Sequence, residues 1–102
     1  MITGKNYIGS SLSAKGSVTY KTFNPVLNME NEWTFVEANT EEINEATAKA
    51  WEAFKAFRKT SDEQRAEFLE AIADEIEALG DTLTQTYMKE SGLPAGRSNG
   101  ER

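Results

Sequence analysis

The stretch from Ser61 to Leu79, SDEQRAEFLEAIADEIEAL, constrains the fold of this chain most. Phe68, Leu69, Ile72, Ile76 and Leu79 recur at i, i+1, i+4, i+8 and i+11, which draws one narrow apolar stripe along a helix. Glu67, Glu70, Asp74 and Glu77 fall on the opposite side, the pattern of a solvated helix back. Ser61 followed by Gln64 is a capping box, so the start of the helix is marked too. The stripe predicts where a core lies. It carries no chemistry.

A second helix is predicted just upstream, in ANTEEINEATAKAWEAFKAFRK, where Ile43, Ala46, Ala50, Phe54 and Phe57 share a face. Asn39 or Thr40 caps it, and Glu41 and Glu42 sit favourably against the dipole of the first turn. Glu45 and Lys49 form an i, i+4 pair worth roughly 0.2–0.5 kcal/mol. Beyond Leu79 two readings stand. Gly80 ends the helix as its C′ residue and Asp81 caps a new one, or Gly80 is tolerated at about 1 kcal/mol. Leu83 and Tyr87 extend the stripe in either case, to about Glu90, and Gly92 closes it. Pro94 at a first helical position opens a further helix, which reaches Arg102 without a C-cap. The chain is therefore expected to be cut rather than finished.

Residues 1–38 read as strands and turns. Asn6–Ile8 is expected to pair with Val18–Phe23 through the loop GSSLSAKGS. Asn24-Pro25 stops the second strand, because proline cannot donate to a ladder. NMENE is expected as an exposed turn, and Trp33–Val36 as a third strand. The expected fold class is thus α+β: short antiparallel strands in 1–38, then two long amphipathic helices and a truncated third in 39–102. Together these form one incomplete piece of a domain.

Composition excludes several function classes. Of 102 residues, 17 are acidic and 11 basic, giving a formal net charge of −6. Nucleic-acid affinity comes largely from Lys and Arg neutralising phosphates, so no nucleic-acid partner is expected. The chain has no Cys and no His, which removes thiol nucleophiles, Cys/His zinc sites and the commonest general base at neutral pH. Ser10, Ser11, Ser13 and Ser17 have no histidine to activate them. The start, MITGKNYIGSSLS, has no apolar signal region, and no apolar run approaches the ~18 residues of a membrane span. A cytoplasmic protein without membrane contact is expected.

The remaining motifs are weak. Asp74–Gly80 superficially matches a calcium loop, but its third and fifth positions, Ile76 and Ala78, carry no side-chain oxygen. Gly92, Gly96 and Gly100 repeat every fourth residue without a preceding strand, so they are not a phosphate-binding loop. Close packing against a missing neighbour is the expected cause. Trp33, Trp51, Phe54 and Phe57 are read as core or interface side chains.

Taken in order, certain segments resemble the amino-terminal part of the aldehyde dehydrogenase superfamily. They are Asn6-Tyr7-Ile8-Gly9, Thr22-Phe23-Asn24-Pro25, Glu41-Glu42-Ile43, Ala50, Ala53-Phe54, Arg65-Ala66-Glu67-Phe68-Leu69 and Ile72-Ala73-Asp74-Glu75-Ile76. The most specific are the last: Glu90-Ser91-Gly92-Leu93-Pro94, Arg97 and Gly100-Glu101-Arg102. The chain is most similar to the subgroup that oxidises 2-oxoglutarate semialdehyde (2,5-dioxopentanoate). Val26-Leu27-Asn28-Met29-Glu30 departs from the family's small-residue turn.

The resemblance implies a parent that binds NAD or NADP in a Rossmann-like α/β domain and acts through a cysteine thiolate. The thiohemiacetal gives hydride to the nicotinamide, and a glutamate-activated water releases the acid. It implies no catalytic and no cofactor-binding residue in this segment, and no cofactor bound to it. Its metal implication is limited to the backbone carbonyls of Thr22 and Phe23, beside the position of a structural cation in some family members. The expected partners are the remainder of the parent chain and, for the parent, further copies of itself. Two rival readings differ in class: a free-standing acidic helical interaction module, and a small subunit donating helices to a larger enzyme.

Overall fold

The structure is a computed structural model, and it describes residues 2–102. Four strands precede four helices: β1 (Asn6–Ile8), β2 (Ser11–Ser13), β3 (Thr19–Asn24), β4 (Met29–Val36), α1 (Thr40–Phe57), α2 (Asp62–Ala78), α3 (Asp81–Ser91) and α4 (Ala95–Glu101). The α+β class and the strands-then-helices order are as expected.

Strand pairing differs from expectation. β1 pairs antiparallel with β2, with Asn6 opposite Ser13, Tyr7 opposite Leu12 and Ile8 opposite Ser11. The two residues between them, Gly9 and Ser10, form the turn, and Gly9 has φ 61°. A turn this short closes the hairpin at little entropic cost, so the nearest segment wins over the more strand-like Val18–Phe23. β3 pairs instead with β4 in a second two-stranded sheet. The expected turn at Asn28–Glu32 lies earlier, at residues 25–28. Asn24 Oδ1 accepts from the N–H groups of Val26 (3.0 Å) and Leu27 (3.1 Å), and Asn28 takes φ 53°. These are the local roles asparagine performs in turns. β3 does end at Asn24, before Pro25, and Trp33–Val36 is strand, as expected.

The chain divides into two compact units. The first comprises residues up to 21 and 32–60, and the second comprises 22–31 and 61–102. In the first, β1 packs against α1 and buries Ile8, which is 4% exposed. The Gly4 carbonyl accepts from the Val36 N–H (2.9 Å), and Asn6 Nδ2 donates to the Val36 carbonyl (3.1 Å). Tyr20 and Phe35 stack at 5.5 Å.

In the second unit, α2 opens with the expected capping box. Ser61 Oγ accepts from the Gln64 N–H (3.1 Å), and Gln64 Oε1 accepts from the Ser61 N–H (2.9 Å). α2 stops at Leu79, because Gly80 takes φ 53° and turns the chain into α3. The break is thus the outcome at Gly80, and Gly80 itself, not Asp81, is the N-cap of α3. The third helix foreseen at the end is the fourth, and Pro94 is its N-cap rather than its first helical residue. α3 and α4 pack together, and buried Ser98 donates its hydroxyl to the Thr84 carbonyl (3.1 Å).

The largest correction concerns the core. No residue of α2 is buried, and Ile72, at the centre of the stripe, is 41% exposed. The stripe exists, but burial needs a facing layer, and none of the described residues covers it. Trp51, Phe54 and Phe57 of α1 are likewise exposed, not core. Among the described residues the buried side chains are mostly polar: Asn24, Asn31, Glu42, Thr84 and Ser98.

Gly92 closes α3 with φ 73°, its N–H donating to the Met88 carbonyl (2.9 Å). A Cβ there would stand 2.7 Å from Cγ of Pro25. Gly92→Ala is therefore expected to cost about 1–3 kcal/mol, combining a left-handed backbone with displacement of the proline ring. Thermal unfolding of the two proteins measures it, and an unchanged midpoint would show that the αL cap is not formed.

Candidate functional site

The most highly built polar cluster in the chain surrounds Glu42. Asn39-x-x-Glu42 is itself a capping box: the Asn39 side chain accepts from the Glu42 N–H (2.9 Å), and Glu42 Oε2 accepts from the Asn39 N–H (3.1 Å). Glu42 Oε1 accepts further bonds from the Ser13 hydroxyl and the Lys15 N–H (3.0 Å). One fully buried carboxylate thus ties the segment after β2 to the start of α1.

The Ser13 hydroxyl, then the backbone N–H of Lys15, hold the Glu42 carboxyl below its usual pKa of 4.5, against the opposing effect of burial. A carboxylate saturated with donors and made less basic is an anchor and a poor proton acceptor. At the rim, Lys15 Nζ pairs with Glu41 (3.1 Å), and the expected Glu45–Lys49 pair is formed (3.0 Å). The hydrogen bond that Lys15 donates to Glu41 raises the Lys15 pKa above 10.5, and the one that Lys49 donates to Glu45 lowers the Glu45 pKa.

In the sequence Glu42 stands out as an acidic residue of the first turn of α1, not as a buried anchor. The signal was present, since Asn39-x-x-Glu42 repeats the pattern recognised at Ser61-x-x-Gln64. The donors from Ser13 and Lys15, 29 and 27 residues away, left no local mark.

A second cluster joins two segments that carry the family resemblance. Gly92 of the Glu90–Pro94 segment lies on Pro25 of the Asn24-Pro25 turn. Asn31 Nδ2 donates to Thr22 Oγ1 (3.1 Å) and to the Lys89 carbonyl (3.3 Å), fastening β3 and β4 to the end of α3. Thr22 and Phe23, the backbone cation candidates, lie in β3. The structure brings Thr22 to Asn31 and leaves the Phe23 ring half-exposed. Among the described residues no three acidic side chains gather into a group able to hold a metal ion. No described helix is long and apolar enough to cross a membrane.

Residues 12–102 match the model of the aldehyde dehydrogenase family. The chain belongs to the aldehyde dehydrogenase family. It is 34% identical over 98 residues to the alpha-ketoglutaric semialdehyde dehydrogenase of Acinetobacter baylyi, a match covering 96% of this chain and 19% of that protein. It is 39% identical over 102 residues to alpha-ketoglutaric semialdehyde dehydrogenase 2 of Azospirillum brasilense, covering 99% of this chain and again 19% of the relative. This aldehyde dehydrogenase chain therefore spans about a fifth of the length of the relatives it matches, their N-terminal fifth. The family match takes in the Glu42 anchor, the Asn24-Pro25 turn and Gly92, so both polar clusters lie within it.

Proposed function

We propose that these 102 residues are the amino-terminal part of a longer NAD(P)-dependent aldehyde dehydrogenase that oxidises 2-oxoglutarate semialdehyde to 2-oxoglutarate. The observation that carries this reading is the coverage: nearly the whole chain aligns with two proteins named for that substrate, over 19% of their length. In this reading the segment is structural. Its strands in 1–38 and its helices in 39–102 form one incomplete piece of the cofactor domain, and the parent is a cytoplasmic homo-oligomer.

The residues present do not fit a dinucleotide. Gly92 closes α3, and Gly96 and Gly100 lie inside α4, so none of the three forms a strand-to-helix phosphate-binding turn. The chain also has no cysteine to serve as nucleophile. The contribution of this segment is geometric. Glu42 locks the hairpin β1–β2 to α1, while Asn31 and Gly92 lock the β3–β4 turn to α3.

The test compares two proteins: the 102-residue chain and the product of the intact reading frame that contains it. Only the second is expected to reduce NAD or NADP in the presence of 2-oxoglutarate semialdehyde. Reduced-nicotinamide absorbance from the isolated chain, or an inactive full-length product, would overturn the proposal.

A further inference from the structure

Of the seven asparagines in the chain, only Asn99 is followed by glycine. The following residue decides whether the main chain can attack an asparagine side chain. The attacking atom is the backbone nitrogen of that residue, and the target is the asparagine Cγ. A side chain on the following residue crowds the approach, and glycine has none. Proline has no N–H to give up, which removes Asn24 before Pro25. Asn28 and Asn44 are exposed, as Asn99 is, but they precede Met29 and Glu45.

We infer that Asn99 is a site of spontaneous modification, converted to aspartate and isoaspartate when the last turn of α4 opens. The bond that forms joins the Gly100 nitrogen to Asn99 Cγ. The bond that breaks is Cγ–Nδ2, and Nδ2 leaves as ammonia, taking the proton of the Gly100 N–H. Water then opens the cyclic imide at one carbonyl or the other, giving aspartate or isoaspartate. Nothing is oxidised or reduced, and water is the only co-reactant. This inference is independent of the proposed enzymatic role.

The closed helix restrains the reaction, because ring closure takes ψ of Asn99 away from its helical value near about −42°. The restraint is weak. α4 has seven residues, Gly96 and Gly100 among them, and Pro94 gives it no side-chain cap. Helices this short have little stability of their own, and glycine lowers it further. α4 is held by its packing on α3, by the Ser98 hydroxyl on the Thr84 carbonyl (3.1 Å) and by Arg102 on Glu77 (3.0 Å). A Cβ on Gly100 would meet nothing within 4 Å, so no described neighbour presses the last turn shut. Helix ends are where opening costs least. Conversion also prevents the turn from closing again. Isoaspartate adds a methylene to the main chain, and either product adds a negative charge in the last turn, where the helix dipole opposes it. The step is therefore a one-way release of the end of α4.

The full 102-residue chain is held in mildly alkaline buffer at physiological temperature, sampled over days and mapped as peptides. Mass and retention resolve asparagine, aspartate and isoaspartate. Asn99 is expected to convert several-fold faster than Asn28 and Asn44, and several-fold faster again when the chain is unfolded in denaturant. Gly100→Ala, for which the structure has room, is expected to slow conversion at Asn99 several-fold. Ser98→Ala removes the anchor to α3, leaves the Asn-Gly pair intact, and is expected to speed it. A rate at Asn99 no greater than at Asn28 and Asn44 would overturn the site. Equal rates in the folded chain, the unfolded chain and Ser98→Ala would overturn control by α4.

Discussion

Glu42→Leu is expected to be among the most damaging single substitutions in the first unit, lowering the thermal midpoint by on the order of 10 °C or more. Leucine is close in size, so the change is not mainly one of volume. Its effect is on hydrogen bonding. The Ser13 hydroxyl and the N–H groups of Lys15 and Asn39 all donate to this carboxylate, and all three would lose their acceptor. Partly buried donors left without an acceptor cost more than the net gain of the bonds they once made. Glu42→Gln is expected to be intermediate. The amide oxygen can still accept from Ser13 and Lys15, but the amide nitrogen then meets the Asn39 N–H donor to donor. Asn39→Ala removes only the reciprocal cap and is expected to cost about 1 kcal/mol.

The same carboxylate gives the fold an acid limit. Its pKa is lowered on folding, so its contribution is fully present above the unfolded value of 4.5 and is lost as pH falls through the folded value. Thermal midpoints measured from pH 7 down to pH 3 should decline in that window. The decline should be shallower in Glu42→Gln, leaving the smaller share of Glu45, whose pKa is lowered chiefly by its hydrogen bond with Lys49. Identical pH profiles for the two proteins would show that Glu42 is not the anchor.

What could be read from the sequence follows the range of the interactions involved. The Ser61–Gln64 box and the α2 stripe depend on residues three or four apart, and both are in the structure. The fate of the stripe depends on a facing layer, which the spacing of Ile72 and Ile76 cannot report, and so the expected core is exposed. β2 escaped because Ser11-Leu12-Ser13 has little strand propensity, and it is strand only because Gly9-Ser10 brings it back onto β1. The break at Gly80 was one of two open readings. Propensity alone puts them about 1 kcal/mol apart, and tertiary context decides such cases. Of the candidate sites, Thr22 and Phe23 were named by resemblance alone. For Glu42 the sequence carries its capping spacing with Asn39 and its place in a first turn, but not the donors from Ser13 and Lys15.

Gly4→Ala is the second change expected to act strongly, and it went unnoticed in the sequence because an isolated glycine near a terminus looks unconstrained. Gly4 has φ 68°, and a Cβ there would lie 1.8 Å from the Thr34 carbonyl oxygen and 3.2 Å from Cα of Phe35. These are main-chain atoms of β4, so no side-chain rotation relieves the overlap. The segment must lift away, which breaks the bond from the Val36 N–H to the Gly4 carbonyl and pulls on β1, where Ile8 is buried. Backbone strain and overpacking together are expected to cost about 3 kcal/mol or more, a large share of the stability of a domain this size. Gly96→Ala is the matched control. Gly96 lies inside α4, and a Cβ there would meet nothing within 4 Å, so alanine should be neutral or stabilising by up to about 1 kcal/mol. Chemical denaturation of both variants distinguishes the two environments. Equal midpoints would mean that the N-terminal segment does not lie against β4. A marked loss at Gly96 would mean that a neighbour packs against α4, the reading first suggested by the spacing of Gly92, Gly96 and Gly100.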